Sequence, residues 1–281
     1  MRWSLVRAQA GPHLKYVYSY ISMKKPQDRV VIMVIGTTIE PFSNNLKECE
    51  RTWMPKLREL GYKVISVIGN PDITHKKSQH QLENWFKFID DNTIKFETFD
   101  NKVGIFDKSV YLPTKWVLEH SDYEYYFKID SDSFVHPQRF HKMLMENLNS
   151  QHYIHYMGCC IPWLGNNPHY FERLFTQKKG HYASGAAYML SKHAMNVFRD
   201  KVKIEEPVHF QVEDWLVGRT LIGNGILLLH DSRIMFESKF KKLIADNDNI
   251  GTPYIGHKDS HLAIQHYMNG HMDELMKKLE L

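Results

Sequence analysis

The sequence predicts an α/β protein built on a mostly parallel central sheet, and three observations carry that expectation. The run Arg29–Gly36 is apolar after its first residue and stops at a glycine. A second run, Tyr62–Gly69, repeats the pattern after an intervening stretch with helical periodicity. A third, beginning at Tyr125, is apolar except for Lys128 and ends in the acids Asp130 and Asp132. Runs that are apolar throughout, rather than alternating, belong to strands covered on both faces. Strand, helix and strand at this spacing make a βαβ unit with a right-handed crossover.

Taken in order, residues 1–27 read as an arm or appended strand ending in Lys24-Lys25-Pro26-Gln27. After the first strand, Leu46, Cys49, Trp53, Leu57 and Leu60 recur at spacings of three and four, so one helix is predicted from Ser43 to Leu60. Ser43 or Asn44 can cap it, and Gly61 ends it. Residues 70–92 are polar and predict a loop, mobile from Asp72 to His80. Phe96–Asp100 reads as a short strand. A helix from Asp107 to His120 contains Pro113, which predicts a kink or a later start. Pro137 opens a helix through Leu148.

The second half has a different texture. Tyr153–Ile161 predicts a strand and Pro162–Pro168 a loop. Tyr182–Leu190 is a small-residue turn running into a strand, and Ser191 caps a helix from Lys192 to Asp200. His209–Gly218 opens another helix, with Glu213 and Asp214 near its first turn. Gly225 precedes the strand Ile226–His230. No linker rich in Gly, Pro or Ser divides the chain. One domain is therefore expected over 28–281, with a ligand-binding half at 28–136 and a second half at 137–281.

At 281 residues and 43% hydrophobic the chain can bury a sizeable core. Its charge of +4 is mild and dispersed, which argues against a nucleic-acid partner. Cys49, Cys159 and Cys160 are odd in number and two are adjacent, so no disulfide framework is expected. No apolar run reaches the roughly 18 residues of a membrane span, and the first ten residues lack a signal-peptide core. A cytoplasmic, reduced chain is the expectation.

The chemistry concentrates at Asp130-Ser131-Asp132. On a continuing strand, residues i and i+2 share a face, and at a strand end the two carboxylates can still converge on one hard cation. Oxygen ligands suit Mg²⁺ or Mn²⁺. Asp-Ser-Asp also occurs in plain solvated turns, but the preceding buried strand and the following Phe134-Val135 favour a site. Open parallel sheets bind ligands at the carboxyl ends of their strands.

Several stretches then agree in order with one family. Arg51-Thr52-Trp53, the series Asp100, Ile105, Lys108 and Trp116, Phe127–Val135, Tyr182–Ser191 and Glu213–Gly218 together resemble the family 31 glycosyltransferases, which include the fringe proteins and β-1,3-galactosyltransferases. The resemblance runs from about residue 29 to about residue 265. It implies a GT-A fold, a UDP-sugar donor, Mn²⁺ (or Mg²⁺) and inversion at the anomeric carbon. It implies Asp132 as direct metal ligand, Asp130 beside it on the ribose or on metal-bound water, and Asp214 as catalytic base. A late histidine completes the metal site, with His257 first and His261 second. Ser131 stands where the family has a third acid, and Trp215 where it has a small aliphatic residue or Asn.

With that resemblance, Ser184 and Gly185 are expected to let backbone approach the sugar, and Thr37, Arg51 and Lys108 to surround the uridine and phosphates. The 28–136 half then takes the nucleotide sugar and the 137–281 half the acceptor, a glycan or glycoconjugate. The alternatives are a non-catalytic nucleotide-sugar or glycan-binding module, a phosphohydrolase using Asp130 and Asp132, and a zinc site among His257, His261 and His266. Residue by residue, Glu213 and Asp214 could serve only the helix dipole, and Arg51 could pair with Glu48 or Glu50.

Overall fold

The computed structural model describes residues 4–6, 17–19, 24–73, 83–101, 104–150, 153–161, 182–202, 213–235, 255–256, 260–266 and 268–281. The expected loop at 162–168, the start of the 209–218 helix, most of the 72–80 segment and His257 lie outside these residues. In the 1–27 arm, β1 (Ser4–Val6) and β2 (Val17–Ser19) pair antiparallel, and α1 (Pro26–Arg29) leads into the first sheet strand.

An eight-stranded sheet organises the molecule. Its strands are β3 (Val30–Ile35), β4 (Lys63–Asn70), β5 (Phe86–Asp90), β6 (Thr93–Phe99), β7 (Tyr125–Asp130), β9 (Tyr156–Ile161), β10 (Tyr182–Ser191) and β11 (Leu228–His230). The spatial order is β11-β9-β10-β7-β3-β4-β6-β5. β7, β3, β4 and β6 run parallel, as do β9 and β11, whereas β10 is antiparallel to both its neighbours. The mixed α/β class expected from the sequence is the one observed.

Side-chain alternation divides the core. On β3, Val30, Ile32 and Val34 join one buried cluster and Val31, Met33 and Ile35 the other. The first cluster takes Trp53, Met54 and Leu57 of α3 (Trp53–Glu59), Phe140, Met143 and Leu144 of α5 (Pro137–Leu148), and Met272 and Leu275 of α8 (Met272–Leu279). The second takes Trp116 and Val117 of α4 (Leu112–His120), Met195 and Phe198 of α6 (Lys192–Lys201), and Val217 and Leu221 of α7 (Glu213–Gly223). Burial on both faces explains why β3 has no polar alternation.

Four local features correct or sharpen the expectations. The helix predicted from Ser43 to Leu60 is two, α2 (Ser43–Arg51) and α3, broken at Thr52. Pro55 has no N–H for the Arg51 carbonyl and its ring crowds that turn. The later start or kink expected from Pro113 is observed, because the chain widens into a π-helical turn, Asp107–Tyr111, and α4 begins at Leu112. The Ser109 carbonyl, which Pro113 leaves without a helical donor, accepts the Tyr126 hydroxyl instead. The polar stretch before residue 92 contains β5, an edge strand that forms a hairpin with β6. Its inward and outward positions are both mostly exposed, so burial left no strong pattern to read.

The fourth is a small sheet that the sequence reading lacked. β8 (Phe134–Val135), β12 (Ile234–Met235) and β13 (Ile264–Gln265) pair in the order β12-β13-β8. It ties the tail to the turn carrying Asp132. By contrast, Ser191 caps α6 as expected, its hydroxyl accepting the Ala194 N–H at 3.2 Å.

Candidate active site

The site begins where β7 ends. Ile35 of β3 pairs with Asp130, so two parallel strands finish side by side. The chain then turns through Ser131, Asp132 and Ser133 before β8, with the Ser133 N–H bonded to the Asp130 carbonyl at 3.0 Å. That turn places Asp132 beside the tail. His266, directly after β13, has Nε2 at 2.7 Å from Asp132 Oδ1. The Met268 N–H donates to the Asp132 carbonyl at 2.8 Å, so backbone as well as side chain joins the two segments. One ligand atom from each of Asp130, Asp132 and His266 lies within 4.8 Å of the others. Two carboxylate oxygens and an imidazole nitrogen form a donor set suited to a divalent ion such as Mn²⁺.

Tyr126, Lys128 and Asp130 share one face of β7, the sheet face on which α4 lies against β7 and α7 against the neighbouring β10. Lys128 is 1% exposed, between Tyr188 and Met33 on the neighbouring strands. Its ammonium lies 2.7 Å from Asp130 Oδ1 and 2.9 Å from Glu213 Oε1, and donates to the Gly185 carbonyl. Burial opposes its charge, but Asp130 and Glu213 outweigh that and hold the amine above its ordinary range. Breaking such a buried pair by removing one partner costs on the order of 3–5 kcal/mol, because the other charge is left uncompensated.

Burial pushes the Asp130 carboxyl up, against the pull of Lys128, although 27% of the side chain stays exposed at the mouth of the site. Asp214 stands in the first turn of α7, and burial, reinforced by the neighbouring Glu213, pushes it up to about 6. Gly185 N–H donates to Asp214 Oδ2 at 2.7 Å and Trp215 N–H to Oδ1 at 2.8 Å. A Cβ at Gly185 would lie 3.2 Å from Asp214 Oδ2 and 3.3 Å from Glu213 Oε1, so glycine permits this approach. Ser184 is buried, its hydroxyl accepting the Ala186 N–H at 3.2 Å.

The structure thus brings Asp130, Ser131, Asp132, Ser184, Gly185 and Asp214 into one connected region. Thr37 and Lys108 meet at the adjoining strand ends, through Asp100. The Thr38 N–H and hydroxyl each reach Asp100 Oδ2 at 2.6 Å, while Gly69 N–H and Lys108 Nζ reach Oδ1 at 2.8 and 3.0 Å. Thr37 Oγ1 donates to the Asp100 carbonyl at 2.6 Å. Burial pushes Asp100 upward, but these donors prevail and hold it below its ordinary value.

Arg51 is not brought to this region. It is exposed on α2, with Nε 3.1 Å from Asp273 Oδ1. Neither Glu48 nor Glu50 is its partner there; Glu48 instead accepts the N–H groups of Gly270 and Met272. Lys128 stands in the site although the sequence assigned it no role, and His266, named only in the zinc alternative, stands beside Asp132. A charge inside an apolar strand, two positions before an acid, was a readable signal for Lys128. For His266 the histidine cluster pointed to zinc and not to Asp132, because its place depends on β13 pairing with β8.

Residues 47–231 match the family model described as Galactosyltransferase. Among solved structures, a glycosyltransferase involved in the glycosylation of the major capsid of PBCV-1 aligns with TM-score 0.47 at 12% identity, over 90% of this chain and 98% of that one. The galactosyltransferase LgtC, in complex with donor and acceptor sugar analogs, aligns with TM-score 0.48 at 9% identity, over 89% of this chain and 95% of that one. The family match spans more than half of the sequence and includes Lys128, Asp130, Asp132 and Asp214: the chain belongs to the galactosyltransferase family.

Proposed function

We propose that this protein is an inverting, metal-dependent glycosyltransferase that moves a hexose or N-acetylhexosamine from a UDP-sugar to a hydroxyl of a glycan or glycoconjugate, in a β-1,3-type linkage. The observation that carries the reading is the convergence of Asp130, Asp132 and His266, joined through Lys128 and Gly185 to Asp214. The donor set fits a divalent cation, which Asp132 and His266 would hold with Asp130. Such an ion acts as a Lewis acid toward the charge of a diphosphate leaving group.

Asp214 is the base. Each of its oxygens already accepts one backbone N–H, and each keeps a lone pair for an acceptor hydroxyl. Glu213 is engaged with Lys128, which leaves Asp214 as the carboxylate available for proton removal. A carboxyl raised to about 6 is ionised at neutral pH yet more basic than an ordinary aspartate. Gly185 keeps the wall beside the base thin. Thr37 and Lys108 act through Asp100, shaping the loop after β3 that would flank the nucleotide.

The test is a thermal-shift screen of UDP, GDP, CDP and their sugars, with and without Mn²⁺, followed by a transfer assay on the hits. Native-state ligands raise the melting temperature by mass action. A Mn²⁺-dependent rise with UDP or a UDP-sugar, lost in Asp132→Ala, is expected. No shift with any nucleotide would overturn the reading, and binding without turnover would favour a nucleotide-sugar-binding module.

A further inference from the structure

Gly185 lies where ordinary sheet pairing lapses. β10 is paired with β7 from Ala187 onward, opposite Ile129, and its register against β9 shifts between Ala183 and Tyr188. No ladder partner on either side sets the position of Gly185. What holds it is a pair of polar contacts. Its carbonyl accepts the Lys128 ammonium, and its N–H donates to Asp214 Oδ2 at 2.7 Å. The same ammonium holds Asp130 at 2.7 Å and Glu213 at 2.9 Å. Lys128 itself is on a central strand, where pairing with Tyr188 and Met33 on either side fixes its backbone.

We infer that Lys128 is a positioning residue: it pins the bulged Gly185 segment to β7 and thereby sets where Asp214 stands relative to Asp130. The catalytic meaning of this pin rests on the reading under Proposed function. A rival role is charge balance alone, in which an ammonium is needed only because Asp130 and Glu213 are buried nearby. The two roles differ at Gly185. Charge balance does not need the Gly185 carbonyl, whereas the pin depends on it.

The experiment compares Lys128→Met, Glu213→Gln and the double variant. Lys128→Met strips the counter-charge and is expected to lower the melting temperature. The double variant removes one uncompensated carboxylate and recovers part of that loss. Gly185 amide exchange, read residue by residue by NMR, is expected to be fast in both variants lacking Lys128 and slow in Glu213→Gln. Transfer by the double variant is expected to stay about 100-fold below wild type, the size of effect a misplaced group produces. The larger share of the loss is expected in kcat, with the change in donor KM reporting the lost contact to Asp130. Wild-type exchange at Gly185 in the double variant, or turnover that recovers together with its melting temperature, would overturn the pin. Absence of transfer by the wild-type protein on every donor would sink the functional reading instead, and the exchange measurement would still decide the pin.

Discussion

His266 Nε2 lies 2.7 Å from Asp132 Oδ1, which joins the tail of the chain to the turn at the end of β7. This relationship makes a three-donor site from residues distant in sequence. Asp132→Ala and His266→Ala are each expected to weaken Mn²⁺ affinity by about 100-fold or more, since even outer-shell losses reach that size. Calorimetric titration of the purified variants with Mn²⁺ checks it. His257→Ala in parallel separates the two histidines, and retained affinity in that variant assigns the role to His266.

The activity should carry the signature of Asp214. A base must be deprotonated to act, and this carboxyl is raised to about 6. kcat/KM for transfer is therefore expected to be flat above pH 7 and to fall tenfold per unit below about pH 6. A profile unchanged down to pH 4.5 would remove Asp214 from the role.

Asp214→Asn is expected to lower transfer by about 10²–10⁴-fold and to stabilise the fold. The sign follows from the raised carboxyl. Below the ordinary value of 3.8 the group is protonated in folded and unfolded chains alike, and no penalty exists. Between 3.8 and about 6 the unfolded chain ionises first, so wild-type stability declines as pH rises. The variant escapes this decline, with an advantage of at most about 3 kcal/mol above pH 6, reduced by the hydrogen bond that Asn cannot accept. Denaturant melts at pH 4 and pH 8 measure the difference.

Glu48 is 8% exposed and accepts the Gly270 and Met272 N–H groups at 2.6 and 2.8 Å, at the start of α8. Glu48→Ala is expected to cost about 1–3 kcal/mol, the penalty for leaving buried donors unpaired. Turnover well below the melting temperature should be nearly unchanged, since Glu48 contacts the end of the tail and not Asp214.

Arg51→Ala tests the residue that the structure removed from the site. Its partner Asp273 is as exposed as Arg51 itself. Neither the melting temperature nor the donor KM is expected to change measurably, and a large rise in KM would return Arg51 to the donor site.

Much of the fold was legible because burial imposes pattern. β3 is apolar throughout and β4 nearly so between its ends since both faces are covered, and the spacing of Leu46, Cys49, Trp53 and Leu57 follows the face that α2 and α3 bury. Where burial is weak, as in β5, or where pairing is brief, as in β8, β12 and β13, the pattern is too short to read. The break at Thr52 shows proline chemistry deciding a helix boundary that hydrophobic periodicity alone ran through, while the later start of α4 is the one that Pro113 predicted.

By itself the sequence determined the α/β class, the strand end carrying Asp130 and Asp132 and the acidic start of α7, because each is a local pattern of burial, turn preference or motif, whereas the turn expected around Gly185 is a bulged part of β10. The tertiary structure alone decided which residues meet there. Lys128 became a buried ammonium shared by Asp130, Glu213 and Gly185 only when α7 packed on β10 beside β7 and brought Glu213 to it. His266 reached Asp132 only through the pairing of β13 with β8, and Arg51 turned away to Asp273 on α8. Such contacts join segments far apart in the chain. Their positions depend on long-range packing and strand pairing, which local composition and periodicity do not encode.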